Sequence, residues 1–418
     1  MRSVALLALA LAAGCSRYSP HPEGTRRGAG GGLHVWSMWG GDEEEVFRNT
    51  LHTYDPTMEN LPSVGDDKTI RALVAGAPPD LFTLRDPSAL GALAANGALR
   101  PLDDLYAAAG FKESDFTPGA LSQCRFRGKL YAVPYLLDCI VLLYNKKLVK
   151  EPPRTLEELE ELCKRLTKRD STGRITQIGL RPPEAVQLLG AAGATFWDEK
   201  SERTTADHPN NIEGMRWYKR LMDAQGGNEA VAAFSAGFAE DMGSNNPFYR
   251  GQAAMEFSGQ WNANWVYKYT PGEEIGVAPL PYPAALPEAR GTAWLGGNLF
   301  CLPREGKNND RAWEFLRWTQ SKAGQIQFAE TIHGVPNQKA ILTEPLLRTG
   351  EPWKVLFGRF LDLANSPRAT HFPVSPVAAL YQSEVTAACD AVRYGRKSPQ
   401  EALRAVQAKV SRELEKYR

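Results

Sequence analysis

From Gly128 to Val149 the chain reads GKLYAVPYLLDCIVLLYNKKLV. Apolar and aromatic residues fill this stretch, yet a single carboxylate, Asp138, stands in its middle. The stretch is too short and too interrupted to cross a membrane, which requires about 20 apolar residues. Its Gly and Pro residues predict two buried strand segments with a break at Pro134. Burial of Asp138 costs free energy unless hydrogen-bond donors bind it, and those donors are either protein groups or ligand hydroxyls.

The first residues are typical of an export signal that is removed from the mature protein. Arg2 supplies the positive end, a short apolar run follows, and residues 12–15 read AAGC. This motif resembles the cleavage site of a bacterial lipoprotein, which implies a signal peptide over residues 1–14 and Cys15 as the lipidated first residue. The alternative is a plain secretory signal that is cut after a small residue. Residues 15–32 are rich in Gly, Pro, Arg and Ser and predict a flexible tether.

Charge and length limit the class of protein. Removal of residues 1–14 takes away one basic residue, so 49 Lys and Arg become 48, against 48 Asp and Glu. This balance argues against nucleic acid as a partner. Single hydrophobic cores stop growing near about 250–300 residues, so we expect the 418 residues to form two lobes.

The cysteines give little functional information. Five remain after Cys15, and no two of them have the C-x-x-C spacing of a zinc or redox motif. We expect most of them to be small buried side chains, and one disulfide is compatible with an oxidising envelope. They are Cys124, Cys139, Cys163, Cys301 and Cys389.

The pattern after the tether predicts an α/β lobe. Leu33–Met38 reads as a strand, and Trp39–Gly41 reads as a tight turn before a helix with an acidic first turn. Ligands often bind in the crevice beside such a turn, although the spacing is not a dinucleotide fingerprint. Pro79–Leu84 predicts another strand, followed by a helix over residues 86–97. The strand signal over Glu59–Val64 is weak.

Capping boxes predict two helix starts after the 128–149 stretch. The first is Thr155–Glu158, and the second is Ser398–Glu401 with Pro399 in the first helical position. A helix with a buried stripe is expected to follow Ser398 to the end of the chain. The residues of that stripe are Leu403, Val406, Val410 and Leu414.

Three blocks of sequence resemble the extracellular solute-binding proteins of carbohydrate ABC transporters. In that family a GK-x-Y-x-VP-Y … D … LYYNK run carries the chain from one lobe to the other. Residues 128–149 match it except at Leu143, where the family pattern has a tyrosine. Residues 245–261 read NNPFYRGQAAMEFSGQW and resemble a second block, while Gly291–Arg304 resembles a return crossover. The family blocks recur in order from about residue 33 to the end of the chain.

The resemblance implies an α/β, two-lobe periplasmic-binding-protein-like fold of the hinged type II. Two or three crossovers would join the lobes, near Tyr131–Asp138, Trp294–Asn298 and Asn337–Leu342. The expected boundaries are 33–135 plus 297–338 for lobe 1, and 136–296 plus 339–418 for lobe 2.

Enzyme motifs do not appear in the sequence. There is no H-E-x-x-H, no phosphate-binding loop, and the six His have no metal-ligand spacing. The nearest approach to a nucleophile elbow, Ala233–Gly237, lacks the first Gly and reads as an ordinary loop. We therefore expect no catalytic residue, no metal and no cofactor.

Aromatic residues beside Gly turns favour a sugar as the ligand. A pyranose has an apolar C–H face that a ring covers, and a rim of hydroxyls that carboxylates and amides bind. Leaving those hydroxyls unpaired would be costly, and this cost creates specificity. The candidate ligand-binding residues are Trp39, Gly40, Asp86, Tyr135, Asp138, Trp261, Trp294, Gly296, Gly297 and Asn298.

A structural role competes with ligand binding at most of these positions. The resemblance places a ligand-stacking aromatic at Trp261, whereas core packing explains Trp39 and Trp294 equally well. Capping the helix at Pro87 is the alternative for Asp86, and binding of crossover amides is the alternative for Asp138. Tyr135 is either a hinge or a cleft residue, and the glycines fit turn geometry alone.

The resemblance implies a monomeric, non-catalytic receptor that is lipid-anchored through Cys15 and faces the periplasm or the outside. It would capture a sugar or oligosaccharide between its lobes and deliver it to a membrane permease. Ligand would favour the closed state, because only then do both lobes touch it. One alternative is the same role for a polar non-sugar solute, such as glycerol phosphate or a polyamine. Another is an envelope lipoprotein hydrolase.

Overall fold

The computed structural model describes residues 32–85, 87–238, 243–270 and 274–418. The predicted signal peptide, Cys15 and the tether before Gly32 lie outside the described residues, as does Asp86.

The described chain contains both strands and helices. The strands are β1 (His34–Trp36), β2 (Glu59–Leu61), β3 (Leu81–Leu84), β4 (Arg125–Phe126), β5 (Lys129–Leu130), β6 (Ala132–Asn145), β7 (Lys168–Arg169), β8 (Ile175–Leu180), β9 (Trp197–Asp198), β10 (Arg203–Thr204), β11 (Ala253–Ser258), β12 (Ile275–Ala278) and β13 (Trp294–Cys301). The helices are α1 (Asp42–Tyr54), α2 (Asp66–Val74), α3 (Leu90–Ala95), α4 (Asp103–Ala108), α5 (Leu156–Leu166), α6 (Ala185–Ala191), α7 (Pro209–Ala224), α8 (Asn228–Ser235), α9 (Asn262–Tyr269), α10 (Asn309–Thr319), α11 (Lys322–Ile332), α12 (Pro352–Ala364), α13 (Ala378–Arg393) and α14 (Pro399–Leu414).

One mixed sheet runs through both halves of the molecule, in the order β2-β1-β3-β13-β6-β11-β8-β7, and β12 also pairs with β6. The strands β1, β2 and β3 are parallel, and the return strand β13 is antiparallel to β3 and β6. The first part of β6 pairs with β13, while Val141–Asn145 pairs with β11 and β12. The long strand β6 therefore belongs to both halves, which is the two-lobe α/β arrangement that the sequence predicted.

The predicted break at Pro134 is wrong, because β6 is a single strand of 14 residues. Pairing with β13 skips one residue, so that Asn298 faces Leu136 while Leu299 faces Pro134. This bulge accommodates proline, which has no N–H to donate. The Pro134 carbonyl instead accepts side-chain amide bonds from Gln320, at 2.8 Å, and from Asn337.

The helix starts follow local chemistry. Gly41 precedes α1 with φ of 58°, a conformation that glycine adopts at little cost. The Ser398 capping box is confirmed in both directions. Thr155 accepts from the Glu158 amide as predicted, but the Glu158 carboxylate accepts from the Arg154 amide at 2.6 Å.

Two boundaries of the first half differ from expectation. The strand signal over residues 59–64 does form β2, which pairs with β1 in parallel. The helix expected from Asp86 begins at Leu90, because residues 87–89 form a turn that the Leu90 amide closes on the Pro87 carbonyl.

Helices cover the sheet in two groups. In the first half, α11 packs against α1, α10 and β6. In the second half, α7 packs against α5, α6, α13 and α14, while α12 packs against α9 and β12. The C-terminal helices α12 to α14 therefore pack with elements of the second half. The predicted stripe on α14 is buried, as are the five described cysteines, none of which is paired.

Candidate functional site

The candidate site lies where the carboxyl ends of β1, β3 and β11 meet the middle of β6. The turn after β1 carries Trp39 and Gly40, and Arg85 follows β3 directly. The turn after β11 carries Gln260 and Trp261. The crevice outside the carboxyl ends of strands is the usual ligand position in α/β sheets.

Asp138 is the centre of this arrangement. It lies on β6 directly opposite Gly296 of β13. One carboxylate oxygen, Oδ1, accepts from Gln260 Nε2 at 3.0 Å, and Oδ2 accepts from Asn298 Nδ2 at 3.4 Å. A Cβ at position 296 would lie 3.3 Å from Asp138 Cβ, so glycine there leaves room beside the carboxylate. The Asp138 side chain is partly exposed and retains acceptor capacity for a ligand.

Gln260 connects the two strands that form the floor of the site. Its amide oxygen accepts from the Cys139 backbone N–H at 2.8 Å, while its nitrogen donates to Asp138. Its side chain is buried, with 2% of the residue exposed. Gln260 is not among the residues predicted for the site, because no sequence pattern marks a polar residue between Gly and Trp.

Two further ionisable groups lie close enough to Asp138 to affect its charge. Burial raises the pKa of Asp138, and the hydrogen bonds from Gln260 and Asn298 and the charge of Arg85 oppose that rise. Burial also raises the pKa of Glu43, in the first turn of α1, where Arg85 opposes the effect and Asp138 adds to it. Glu43 and Arg85 are not among the residues predicted for the site, since their proximity to Asp138 depends on how β3 and α1 pack.

The three candidate tryptophans differ in exposure. Trp261 is partly exposed and precedes α9, and its ring lies over Gly259, where a Cβ would be 2.2 Å from the indole. Trp39 and Trp294 are each 8% exposed. Trp294 packs on Gly190 of α6, where a Cβ would lie 2.4 Å from its ring. Of the three, Trp261 therefore has the most accessible indole surface.

Tyr135 and Trp39 support the site from behind. Tyr135 is fully buried, and its hydroxyl accepts from Trp39 Nε1 at 3.0 Å. Trp39 stacks on Phe47 with ring centroids 5.9 Å apart. These contacts fix the turn between β1 and α1 against the bulge of β6.

Among the remaining candidates, Gly297 and Asn298 lie on β13, and Gly40 lies in the turn after β1. Asn298 is 3% exposed, and its Oδ1 has no protein partner among the described residues. Gly297 is buried, and a Cβ there would lie 2.9 Å from Gln123 Oε1. A Cβ on Gly40 would lie 2.3 Å from Ser63 Oγ, so both glycines permit close approach of neighbouring groups.

A serine–histidine contact lies at another position. Ser122 Oγ is 2.6 Å from His371 Nε2, and the other ring nitrogen contacts the Phe372 carbonyl at 2.8 Å. Burial lowers the pKa of His371. The sequence could not show this pair, because 249 residues separate its members.

No group of three or more potential metal ligands occurs among the described residues. The helices within the described ranges also include none whose length and apolarity would suffice to span a bilayer.

A two-lobed α/β fold with a polar site between its halves is the architecture of a solute-binding protein. The family model for bacterial extracellular solute-binding proteins matches residues 60–326, more than half of the chain. The chain therefore belongs to this family.

Individual relatives match over most of the chain. The maltotriose-binding protein of Pyrococcus abyssi is 25% identical over 391 residues, which cover 85% of this chain and 82% of the relative. A maltooligosaccharide ABC transporter solute-binding lipoprotein of Streptococcus pneumoniae is 24% identical over 294 residues, or 65% of this chain and 63% of the relative. The structure of CpMnBP1 with mannotriose bound has a TM-score of 0.75 at 24% identity, covering 91% of this chain and 100% of that one. The structural likeness establishes the fold.

Proposed function

We propose that this chain is the substrate-binding component of an ABC importer, which captures a sugar or oligosaccharide between its lobes and delivers it to a membrane permease. The observation that carries the proposal is the Asp138 carboxylate, which accepts from Gln260, the residue directly before the partly exposed Trp261. A charged acceptor gives strong hydrogen bonds to hydroxyls, and an indole covers the apolar face of a sugar ring. The relatives named for maltotriose and maltooligosaccharides support a carbohydrate as the ligand.

Titration calorimetry with a panel of solutes tests this proposal. The panel contains maltotriose, mannotriose, their monosaccharides, glycerol phosphate and spermidine. We expect saturable binding of at least one saccharide, together with a rise in melting temperature. If only glycerol phosphate or spermidine binds, that solute is the ligand and the sugar assignment is wrong. Absence of binding across a broad carbohydrate panel would refute the proposal.

Charge near Asp138 argues for a neutral ligand over a phosphate. Two carboxylates, Glu43 and Asp138, lie near one guanidinium, Arg85, whose charge lowers the pKa of both carboxyl groups against the effect of burial. A phosphate would require a cluster of basic groups, and these two acids would repel it. A polyamine would be attracted by the acids but repelled by Arg85, which makes it the more relevant competitor.

We propose that the lobes comprise 33–135 plus 297–338 and 136–296 plus 339–418, and that they close on the ligand. Support comes from β6 and β13, which cross between the halves, and from the change of partner along β6, which pairs with β13 up to Ile140 and with β11 from Val141 onward. Small-angle X-ray scattering with and without the bound saccharide measures closure. A radius of gyration unchanged by saturating ligand would contradict a hinged response.

We also propose that Cys15 carries a lipid anchor and that the protein acts as a monomer facing the periplasm or the outside. The AAGC motif at residues 12–15 supports the anchor. Expression of the Cys15→Ser variant in a bacterial host should move the protein from the membrane to the soluble envelope fraction. Light scattering of the purified chain measures its oligomeric state.

We propose that the protein does not catalyse hydrolysis. The Ser122–His371 pair has a short contact, but Ser122 Oγ also lies 3.0 Å from the Gly119 carbonyl, which competes for its single proton. The imidazole faces a backbone carbonyl where hydrolases place a carboxylate. Turnover of a chromogenic ester or glycoside that is lost in Ser122→Ala would overturn this proposal.

A further inference from the structure

Gln260 makes two hydrogen bonds to β6 through one buried side chain. Its Nε2 donates to Asp138 Oδ1 at 3.0 Å, and its Oε1 accepts from the Cys139 amide at 2.8 Å. Both partners lie on β6, whereas Gln260 lies in the turn that follows β11, more than 120 residues later. Because only 2% of Gln260 is exposed, water does not compete freely for these bonds.

The position of Gln260 also connects the carboxylate to the indole. Gln260 immediately precedes Trp261, and the Trp261 ring lies over Gly259 on its other side. The turn from Gly259 to Trp261 is therefore held to β6 by the Gln260 side chain, and the Trp261 ring packs over Gly259 of the same turn. A shift of the Gln260 side chain would move Asp138 and Trp261 relative to each other.

We propose that Gln260 is a positioning residue for ligand binding, which holds Asp138 as a hydrogen-bond acceptor and fixes the turn that carries Trp261 against β6. This inference rests on the proposed function and assigns the ligand class more narrowly. An ionised carboxylate has about four acceptor sites. Gln260 takes one at 3.0 Å and Asn298 approaches another at 3.4 Å, so each oxygen keeps one acceptor site. The two remaining sites would accept from two neighbouring hydroxyls of a neutral polyol.

The amide of glutamine suits this role better than other side chains of similar size do. A methionine would fill the same space but leave the Cys139 N–H and one Asp138 oxygen without partners, which is costly in a buried site. A glutamate would place a second carboxylate within hydrogen-bond distance of the first. Two carboxylates at that separation share one proton, because both cannot remain ionised at low cost.

The variants Gln260→Glu and Gln260→Met test the proposal through the pH dependence of binding. The probe is whichever of maltotriose and mannotriose binds the wild type, and its affinity is measured by calorimetry between about pH 5 and pH 8. We expect wild-type affinity to vary little from pH 6 to pH 8. Gln260→Glu should bind nearly as well as wild type at about pH 5, because the introduced carboxyl group is then protonated and again donates to Asp138.

At about pH 8 the Gln260→Glu variant should lose roughly 10- to 100-fold in affinity, the value of a charge-assisted hydrogen bond and its geometry. Gln260→Met should show a similar loss at every pH. The matched control is Gln400→Glu, an exposed residue in the first turn of α14, which should leave affinity and its pH dependence unchanged. A merely structural role for Gln260 would weaken binding without a pH-dependent recovery.

A ligand-free measurement keeps the test independent of the sugar assignment. Lowering the pH from about 8 to about 5.5 should raise the melting temperature of Gln260→Glu relative to wild type, because the shared proton is then bound. If the wild type binds no saccharide but this shift occurs, the proposed function fails while the contact with Asp138 stands. If the wild type binds and Gln260→Glu matches it at every pH, the positioning role is refuted.

Discussion

Replacing Asp138 with Asn should separate ligand binding from stability. The substitution preserves shape and leaves an oxygen that accepts from Gln260, but it removes the charge and places an NH2 group toward Asn298 Nδ2, a second donor. Hydrogen bonds to charged groups contribute about 1.5–3 kcal/mol, against about 0.5–1.5 kcal/mol for neutral ones. A ligand with two hydroxyls on Asp138 should therefore lose about 2–3 kcal/mol, or roughly 30- to 150-fold in affinity.

The same substitution should not reduce the stability of the free protein. Burial raises the pKa of Asp138 above its unfolded value, so the folded state binds more protons than the unfolded state between the two pKa values. Stability consequently falls as pH rises through that window. Asn carries no charge, so Asp138→Asn should melt at the same temperature as wild type or higher at pH 7, and its melting temperature should fall less across that window.

Calorimetry with maltotriose or mannotriose and thermal melts between pH 4 and pH 8 measure both effects. The control is Asp104→Asn on α4, a mostly exposed carboxylate that pairs with Arg100 at 3.1 Å and makes no described contact with the site. The control should keep wild-type affinity. An Asp138→Asn protein that binds sugar within threefold of wild type would refute the assignment of Asp138 as the main acceptor.

Three further substitutions test parts of the structure that support or surround the site. Tyr135→Phe removes the acceptor of the buried Trp39 N–H. Denaturant titration should show that the free energy of unfolding falls by about 1–3 kcal/mol, while sugar affinity stays nearly unchanged. A large loss of affinity with unchanged stability would instead indicate that Tyr135 contacts the ligand directly. Ser398→Ala removes the capping box of α14 and should cost about 1 kcal/mol in urea unfolding, and an unchanged midpoint would contradict the cap. Burial lowers the pKa of His371 and of His333, so the unfolded state binds more protons as pH falls below about 6.5 and stability declines. Melting curves of His371→Gln from pH 8 to pH 5 should show a smaller decline than wild type, and an identical decline would exclude His371 as a contributor.

The sequence predicted the architecture well because its signals are local. A lone carboxylate within an apolar stretch identified Asp138, and the Ser398 capping box predicted the start of α14 at the right residue. The strand break predicted at Pro134 was wrong because the rule that proline interrupts a central strand considers only the local sequence. In the structure a bulge opposite β13 accommodates the proline within the strand, and two side-chain amides donate to the Pro134 carbonyl.

The site was predicted less completely because its contacts join distant parts of the chain. Gln260 reaches Asp138 only through the pairing of β6 with β11. Trp39 and Trp261 both follow a strand and flank glycine, yet only Trp261 stays partly exposed. The difference arises because Phe47 and Tyr135 pack against Trp39, and neither contact can be read from the turn sequence.

The sheet that joins the halves also sets the order in which the protein can acquire its structure. In the sheet, β3 lies between β1 and β13, and Leu84 of β3 pairs with Leu299 of β13. Leu299 follows Leu84 by about 215 residues, so this edge of β3 cannot form its native pairing until β13 has been synthesised. At a synthesis rate of about 5–20 residues per second, the N-terminal segment emerges roughly 10 to 40 s before that partner strand exists. The edge of β3 that pairs with β13 therefore has no strand partner from this pairing throughout that interval.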